Sequence, residues 1–454
     1  MRAEWLAVLL FGAAAAGCGG ANSGAAPYPE DFQAVVREAN SRVFPAVVYI
    51  HAVASDTVSG TDNGNVIRGS GVIVSPDGEV LTNFHVADKT SNLRCQLNDN
   101  SVYEAELVGA DKDVDLALLR LKRPADAPPL AWAELDADPI APGDFVMAMG
   151  APWGMNRSVS IGIISCASRY LPGSSEYTLW YQADASISPG NSGGPLVNTD
   201  GKVVGLNTMA AMGGGDIGFS LPSTTIADVL PRLREYRSAN WAWFGLDLQP
   251  LRDFDQNIFF DFDSGVIVSG TEPNSPARLA GILPKDRIVA IDGVPVTVDT
   301  VEAMPDFRRS LGLRPFDVPV KFTVRRGGGQ ELDFEFSPVP KGKVEGGELV
   351  LKRWGFTAKA INRFNNPELY HYRPDGVFVF GIDGMGNAAG SDLRPNDIVL
   401  SVNNRPIETI GNIQAAYDAA VSGAARRSKA VLTVLRNGSK RQLVIDFSRD
   451  TGRE

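Results

Sequence analysis

The segment SPGNSGGPLV, at residues 188–197, places Ser192 among glycines. A serine on a tight glycine turn can expose its hydroxyl, and the backbone N–H groups of Gly190 and Ser192 can converge on one developing oxyanion. This pattern predicts a nucleophilic serine with its own oxyanion hole. A plain glycine turn without chemistry is the alternative for this motif taken by itself.

A serine nucleophile needs a base whose pKa lies near the working pH, and histidine supplies one. The chain has three histidines, His51, His85 and His371. His51 lies in an apolar run and His371 lies between two tyrosines, whereas His85, in LTNFHVAD, stands where a predicted strand ends. We therefore predict that His85 is the general base.

An acidic residue must hold the imidazole of such a pair and stabilise its charged form. In DKDVDLALLRL, at residues 111–121, Asp115 heads an apolar run and so lies at the edge of a core. Asp111 and Asp113 are predicted to be loop residues, and capping of a strand end is the alternative role for Asp115. The order His, Asp, Ser along the chain is the order found in chymotrypsin-like enzymes.

Short apolar runs separated by Gly, Pro, Asn and Asp fill residues 46–221, and this spacing predicts a β-barrel or β-sandwich. A short amphipathic helix is expected near residues 31–42. A closing helix is expected over residues 223–236, beginning at Ser223. The candidate residues thus lie at the ends of short strands, where loops can bring them together.

The C-terminal half contains two segments that echo each other, residues 266–294 and 376–406. Each predicts a strand, a short helix, a turn, a second strand and a tight turn. Each is followed by a helical stretch and a strand pair, at 299–312 with 318–336 and at 409–422 with 430–447. A repeat of about 110 residues indicates a duplicated domain, because a solenoid unit has about 20–50 residues.

Residues 5–17 form an apolar run that follows Arg2 and ends in small residues, as in a secretory signal peptide. The run is too short for a hydrocarbon core of about 30 Å, which needs about 20 residues. Cys18 follows in AAGC, which resembles a bacterial lipobox, so lipidation of Cys18 is predicted. Ordinary cleavage near Ala16, without lipidation, is the alternative.

The composition limits the function classes. Of 454 residues, 44% are hydrophobic and 21% are charged, which excludes a mainly disordered chain and a multispanning membrane protein. The net charge of −10 excludes a global attraction for nucleic acid. Three cysteines and three histidines cannot build a dense zinc framework. Export would permit a disulfide between Cys95 and Cys166, and two buried, unpaired thiols are the alternative.

Together, the motifs TNFHV, DLALL, GNSGGPL and GFSLPS resemble those of the HtrA/Deg serine proteases, and the two repeats resemble PDZ domains. The resemblance covers about residues 31–450. It implies a mainly β fold, a chymotrypsin-like double β-barrel protease followed by two α+β PDZ domains. The implied organisation is a signal peptide (1–17), a flexible tether (18–29), a protease domain (30–236), a first PDZ domain (241–337), a linker (338–350) and a second PDZ domain (351–450).

The resemblance also assigns roles in the protease domain. It implies that His85 is the general base, Asp115 its orienting partner and Ser192 the nucleophile, with the N–H groups of Gly190 and Ser192 as oxyanion donors. Ile187 matches a residue that lines the primary specificity pocket, and an ordinary core position is its alternative. The strand of Gly218, Phe219 and Ser220 resembles one that pairs with the substrate backbone.

In the first PDZ-like repeat, Phe244, Gly245 and Leu246, after Trp243, resemble a carboxylate-binding loop. Plain β core is the alternative for these residues. The counterpart in the second repeat is Arg353-Trp354-Gly355-Phe356. Whether that repeat binds a ligand is left open by the sequence.

The function implied by the resemblance is that of an ATP-independent serine endoprotease of the bacterial cell envelope, which degrades unfolded or mislocalised proteins. No cofactor, metal or nucleic acid is implied. The expected partners are unfolded polypeptides, C-terminal peptides, a membrane reached through Cys18, and further copies of the chain in a homotrimer or larger homo-oligomer, with Tyr28 and Phe32 as candidate contacts. A non-hydrolytic PDZ-containing chaperone and a narrow regulatory protease are the alternatives.

Overall fold

The computed structural model describes residues 32–54, 65–88, 90–151, 157–210, 217–254, 263–327, 329–342, 346–422 and 428–448. The predicted signal peptide, the tether, Cys18 and Tyr28 therefore lie outside the described residues. Among the helices that are described, none has the length and apolar character to cross a membrane.

The N-terminal unit begins with helix α1, whose buried residues include Ala39 and Val43. Six strands then close into a barrel in the order β1-β2-β3-β6-β5-β4. In β1 the side chains of Val48, Ile50 and Ala52 are fully buried, as the two-residue period of a strand requires. The elements are α1 (Phe32–Val43), β1 (Val47–Ala54), β2 (Asn65–Ile73), β3 (Glu79–Thr82), α2 (Phe84–Ala87), β4 (Thr90–Gln96), β5 (Val102–Asp111) and β6 (Leu116–Leu121).

A second closed barrel follows, in the order β10-β11-β12-β9-β8-β7. Helix α3 begins at Ser223, as the sequence predicts, and ends at Tyr236. The two barrels confirm the predicted chymotrypsin-like double β-barrel. The elements are β7 (Phe145–Gly150), β8 (Ser158–Arg169), β9 (Trp180–Ala183), β10 (Pro195–Asn198), β11 (Val203–Ala210), β12 (Gly218–Pro222) and α3 (Ser223–Tyr236).

The first PDZ-like repeat has its own hydrophobic core, built around Phe244, Phe322 and Val324. Its main sheet has the order β14-β15-β16-β18-β19. The predicted helix over 299–312 begins later, at Met304, because Val301–Ala303 form a 3₁₀ turn. The elements are β13 (Ala242–Trp243), β14 (Leu246–Gln249), β15 (Val266–Thr271), α4 (Pro276–Ala280), β16 (Arg287–Ile291), β17 (Val294–Pro295), α5 (Met304–Gly312), β18 (Val320–Arg326), β19 (Gln330–Phe336) and β20 (Val339–Pro340).

The second repeat has the corresponding strand order, β22-β23-β24-β26-β27, with β21 added at the edge beside β22. Its short helix is a 3₁₀ turn over Asn387–Ser391, followed by Asp392 in the left-handed conformation with φ 59°. The elements are β21 (Glu348–Leu351), β22 (Phe356–Ala360), α6 (Pro367–Tyr372), β23 (Val377–Ile382), β24 (Ile398–Val402), β25 (Arg405–Pro406), α7 (Ile410–Val421), β26 (Lys429–Arg436) and β27 (Ser439–Asp446).

The first repeat packs directly on the protease. Trp241 is 2% exposed, belongs to the protease core and stacks on Tyr177 with ring centroids 4.1 Å apart. From α5, Arg309 donates to the Tyr177 carbonyl at 3.0 Å and pairs with Asp228 on α3 at 3.3 Å. The segment predicted as a linker, residues 338–350, contributes β20, which pairs with β13, and the start of β21.

Candidate active site

His85 and Asp115 form a hydrogen-bonded pair beside the first barrel. The short helix α2 follows β3 and carries His85, whose Nδ1 lies 2.8 Å from Asp115 Oδ2 and 3.1 Å from Oδ1. The main-chain N–H of His85 also donates to Oδ1, at 3.0 Å. Because Asp115 engages Nδ1, Nε2 is the ring nitrogen left to exchange a proton with a substrate or nucleophile.

Asp115 stands immediately before β6 in a left-handed conformation with φ 53°. Aspartate is one of the few non-glycine residues that adopt this region at modest cost. Asn83 holds the residue in place, since its Nδ2 donates to the Asp115 carbonyl at 3.1 Å. The carboxylate is thus fixed from the backbone as well as through its own hydrogen bonds.

Ser192 lies on the turn that the glycine motif predicts, and Gly193 follows it with φ 84°. A Cβ at Gly193 would lie 2.2 Å from Thr82 Oγ1, so only glycine fits this approach between the barrels. Ser70 fixes the turn from the first barrel: its Oγ donates to the Gly190 carbonyl at 2.7 Å and its N–H to the Ser192 carbonyl at 2.8 Å.

The N–H groups of Gly190 and Ser192 have no protein acceptor within the described part of the chain. The neighbouring N–H groups are used, since Asn191 donates to the Ser188 carbonyl and Gly193 to the Asn207 carbonyl. An oxyanion hole requires two N–H donors beside a serine hydroxyl that have no acceptor within the protein, and Gly190 and Ser192 supply such a pair.

A hydrogen-bonded bridge connects the two halves of the site. Asn83 Nδ2 also lies 3.1 Å from Thr208 Oγ1, and the Thr208 carbonyl accepts from Ser192 Oγ at 3.1 Å. Among the described residues no hydrogen bond joins Ser192 to His85, an arrangement that catalytic groups often show before substrate binds. The bridging roles of Ser70, Asn83 and Thr208 were not predicted from the sequence, although Asn83 lies in the TNFHV motif itself.

Ile187, the residue predicted to line the primary specificity pocket, lies against Gly218. A Cβ at Gly218 would lie 2.6 Å from Ile187 Cδ1, so the two residues touch. Ile187 is half-buried and packs against the core of the second barrel. The pocket role of Ile187 stays a prediction, and this packing is also what its alternative, an ordinary core position, requires.

The role predicted for Gly218, Phe219 and Ser220 was wrong. In strand β12, Gly218, Phe219 and Ser220 each pair with β11 on one side and with β9 on the other. A strand that is paired on both edges has no backbone groups left to accept a substrate strand. These residues therefore belong to the barrel wall, and Gly218 contacts Ile187.

Replacing Ile187 with glycine is expected to shift cleavage toward larger residues before the cut bond, because it removes the apolar wall beside Gly218. Mass spectrometry of peptides released from an unfolded protein would report the change. Val102→Gly, at a 58% exposed position on the first barrel, is the control. Identical cleavage sites for wild type and Ile187→Gly would remove Ile187 from the pocket.

The turn that leads to Asp115 is held by a residue beyond the protease domain, Lys341, in the segment predicted as a linker. Lys341 is nearly buried; its Nζ lies 2.8 Å from Asp113 Oδ2, 3.1 Å from the Tyr177 hydroxyl and 3.4 Å from Glu176 Oε2. Burial opposes the charge on Lys341, but Tyr177, Asp113 and Glu176 together raise the pKa of its ammonium overall.

Asp111, at the end of β5, accepts hydrogen bonds from the Ala239 N–H at 3.2 Å and from Trp241 Nε1 at 3.3 Å. Burial, with the charge of Asp113 second, raises the pKa of the Asp111 carboxyl to about 6. Asp111 and Asp113 are therefore anchors of the catalytic turn and not simple loop residues.

Lys341→Met is expected to lower the free energy of unfolding by about 2–4 kcal/mol, because it leaves Asp113 without its buried partner. It should also lower kcat on a short peptide roughly tenfold with little change in KM, since a tenfold change needs only about 1.4 kcal/mol of lost alignment at Asp115. Thermal unfolding and steady-state kinetics would test both. Lys202→Met, which breaks an exposed pair with Glu134, is the control and should change neither. Unchanged kcat in Lys341→Met would show that Asp115 needs no support from Lys341.

The residues predicted to bind a chain terminus lie at the entrance of the first repeat. Phe244 is buried in the repeat's core against Phe322 and Phe336. Gly245 has φ 72°, and a Cβ there would lie 2.1 Å from Ser275 Cβ, so the position requires glycine. Leu246 is half-buried and begins β14.

Cys95 and Cys166 are free, Cys95 buried in the first barrel and Cys166 partly exposed on β8. Burial raises the pKa of the Cys95 thiol to about 12, so this thiol is neutral at physiological pH. Within the described residues, no cluster of histidine, cysteine, aspartate and glutamate is suited to hold a metal ion.

Two family descriptions match the chain. Residues 69–206 match a trypsin-like peptidase domain, and residues 267–326 match a PDZ domain. The first range contains His85, Asp115 and Ser192, and the second lies within the first repeat.

Curated relatives extend over most of the chain. A probable periplasmic serine endoprotease, DegP-like, of Marinomonas sp. (strain MWYL1) is 40% identical over 351 residues, which cover 75% of this chain and 72% of that protein. The protein of the same description from Brucella suis biovar 1 (strain 1330) is 30% identical over 385 residues, 84% of this chain and 73% of that protein. The chain belongs to the DegP-like serine endoproteases of the HtrA type.

Solved structures agree with this membership. The HtrA-type protease AlgW with a decapeptide is 29% identical, has a TM-score of 0.57, and its match covers 67% of this chain and 98% of AlgW. The serine endoprotease from Yersinia pestis is 27% identical with a TM-score of 0.53, covering 69% and 98%. This DegP-like protein is thus a periplasmic serine endopeptidase with a PDZ domain, and its substrates are polypeptides.

Proposed function

We propose that this DegP-like protease degrades unfolded or mislocalised polypeptides of the cell envelope without ATP, using Ser192 as its nucleophile. The observation that carries the proposal is the conjunction of the His85–Asp115 pair with a serine turn whose Gly190 and Ser192 N–H groups lack acceptors among the described residues. A vestigial site would have no reason to keep both features.

In the proposed reaction, the substrate enters the cleft between the barrels and its carbonyl oxygen faces the N–H groups of Gly190 and Ser192. Ser192 Oγ leaves the Thr208 carbonyl and attacks the carbonyl carbon while His85 Nε2 takes its proton. Asp115 holds the imidazole by Nδ1 and stabilises the imidazolium. His85 then gives the proton to the leaving amine, and water hydrolyses the resulting acyl-enzyme by the same steps.

We propose that the first PDZ domain captures chain termini through Phe244, Gly245 and Leu246. Backbone N–H groups in such a loop can bind a carboxylate while the peptide adds a strand beside β14. The similarity to AlgW, whose structure contains a bound decapeptide, supports this role. Capture would raise the local concentration of an unfolded chain at the protease cleft.

The test is digestion of one model protein in two states, native and reduced with blocked thiols, by wild type and by Ser192→Ala. Fragments from the unfolded form alone, and only with wild type, are the expected result. Binding without cleavage by wild type would favour a chaperone. Cleavage of neither state, together with cutting of a single native envelope protein, would favour a narrow regulatory protease.

We also propose that Cys18 carries a lipid anchor. Each buried CH₂ of a lipid chain contributes about 0.8 kcal/mol to membrane binding, so an anchored protein partitions strongly to membranes. Cys18→Ser is expected to move the protein from the membrane fraction to the soluble fraction, as measured by fractionation and immunoblotting. An unchanged membrane fraction would contradict the anchor.

We also propose a homotrimer formed through N-terminal segments. The described part of that region offers an exposed aromatic pair, Phe32 and Phe145, with ring centroids 4.8 Å apart. Sedimentation velocity would determine the assembly size, and a monomer at micromolar concentration would contradict the trimer.

A further inference from the structure

A cavity of about 350 Å³ lies beside Trp243, at the point where the protease and both repeats meet. The protease contributes Glu176 and Tyr177, and the second repeat contributes Arg363 and Phe364. The volume is within the range of ligand pockets, about 300–1,000 Å³. The proposed terminus-binding loop, residues 243–246, forms one wall, so the pocket of the first repeat is completed by a different repeat.

Hydrogen bonds to two carbonyl groups of this loop fix the direction in which its N–H groups point. The Phe244 carbonyl accepts from the Ala277 N–H at 3.0 Å, and the Gly245 carbonyl accepts from the Glu272 N–H at 2.9 Å. In a planar trans peptide the N–H points opposite to the carbonyl of the preceding residue. The N–H groups of Gly245 and Leu246 therefore point away from Ala277 and Glu272.

Arg363 brings a cation to the same pocket. Its guanidinium stacks on the Trp243 ring at 4.5 Å, and Nη2 donates to the Tyr370 hydroxyl at 2.9 Å. Among the described residues no carboxylate forms a salt bridge with Arg363. Two aromatic faces, those of Trp243 and Tyr370, and a single hydroxyl leave most of the five N–H donors of the guanidinium for another acceptor.

The other charged groups of the pocket define its polarity. On α5, Arg308 donates to the Leu248 carbonyl at 3.5 Å. Its charge also acts on Asp247 and partly offsets the burial that raises the pKa of that carboxyl. The pocket has three acidic residues. Glu176 pairs with Lys341, whereas Asp247 lies on β14 and Glu272 directly follows β15. Apolar contacts come from Phe244, Leu248 and Leu311, all buried. The cationic end at Trp243 and Arg363 suits an anion, and the apolar floor suits the side chain next to it.

The geometry points to Arg363 of the second repeat as a binding residue for the free C-terminal carboxylate of a peptide held by the first PDZ domain. This inference rests on the proposed terminus capture and adds the residue that completes it. A bidentate guanidinium–carboxylate contact would supplement the N–H groups of Gly245 and Leu246. The second repeat then serves as part of the first repeat's ligand site.

The experiment measures binding of a fluorescent decapeptide with three apolar C-terminal residues to the full-length Ser192→Ala protein, by anisotropy. The peptide is used with a free carboxylate and as its C-terminal amide. Arg363→Ala should weaken binding of the carboxylate form about tenfold and of the amide less than twofold, because only the carboxylate loses a charge-assisted hydrogen bond. Arg363→Lys should recover part of the loss, since it keeps the charge but not the planar fork.

Arg394→Ala is the matched control, because Arg394 lies in the same repeat, is exposed and pairs with Asp392 away from the pocket. Thermal unfolding of each variant checks that the repeats stay folded. If wild type prefers the carboxylate but Arg363→Ala keeps that preference, the inference is wrong and terminus capture stands. If wild type binds the amide equally well, terminus capture itself is wrong.

Discussion

Replacing Ser192 with alanine is expected to lower kcat/KM on any peptide substrate by about 10⁴–10⁶-fold, as loss of a triad member does in serine proteases. The change removes the attacking atom but keeps the N–H groups of residues 190 and 192, which the backbone supplies. Residual catalysis would come from those donors alone. Affinity for an unfolded chain should be retained, since the proposed terminus-binding loop, residues 243–246, is unchanged.

The measurement is steady-state cleavage of a quenched fluorescent peptide, with binding of an unfolded protein measured in parallel. Ser439→Ala, at an exposed position that begins β27, is the control and should retain full activity. Cleavage by Ser192→Ala near the wild-type rate would mean that a different nucleophile does the chemistry.

Asp115→Asn is expected to lower kcat by roughly 10⁴-fold, with a small effect on KM. The asparagine Oδ1 can still accept the His85 main-chain N–H, so α2 keeps its position. Its amide group, however, would donate to Nδ1 and force the imidazole proton onto Nε2. In that tautomer His85 cannot accept the Ser192 proton.

Peptide cleavage by Asp115→Asn would be compared with that by Asp126→Asn, in which an exposed aspartate undergoes the same change. The double variant Ser192→Ala with His85→Ala should be no slower than either single variant, because triad residues act as a unit. A loss below tenfold in Asp115→Asn, or additive losses in the double variant, would contradict a triad built from these residues.

The meeting of His85 and Asp115 was predictable from sequence because both residues lie in motifs at strand ends. His85 follows β3 and Asp115 precedes β6, and these two strands are neighbours in the barrel. Once alternating apolar runs indicate a barrel, residues at the same edge are expected to meet. The closing helix α3 was equally predictable, because its buried residues Ile226, Val229, Leu230 and Leu233 recur at helical spacing. Ser223 does not cap the helix, since the N-cap residue is Pro222 and Ser223 Oγ donates to the Asp136 carbonyl.

The supports of the site were not predictable in the same way. The bond from Asn83 to Thr208 spans 125 residues, and the bond from Lys341 to Asp113 spans 228. Such contacts depend on how the barrels and repeats pack, and no local pattern contains that information. The role of β12 failed for a related reason, because only barrel closure shows that both of its edges are paired.

Trp241 and Lys341 pack against the turn before Asp115, so contacts from beyond the protease domain help to position the His85–Asp115 pair. The turn is held by Asp111 and Asp113, whose partners are Trp241 and Lys341 respectively. A protease domain truncated before Trp241 would lose both of these contacts. It would also lose the Trp241 side chain, which stacks on Tyr177 in the protease core. Studies of the protease domain should therefore use a chain that extends through Lys341, so that both contacts are kept.

Ser192 as the activated nucleophile is tested most directly by covalent labelling. Wild type is incubated with a fluorophosphonate, with and without a C-terminal peptide, and the adduct is located by mass spectrometry of the digested protein. One adduct on Ser192 is expected, with loss of peptide cleavage in proportion to labelling and with labelling greatly reduced in His85→Ala. An active preparation that acquires no adduct on Ser192, or that loses activity through an adduct elsewhere, would contradict the account.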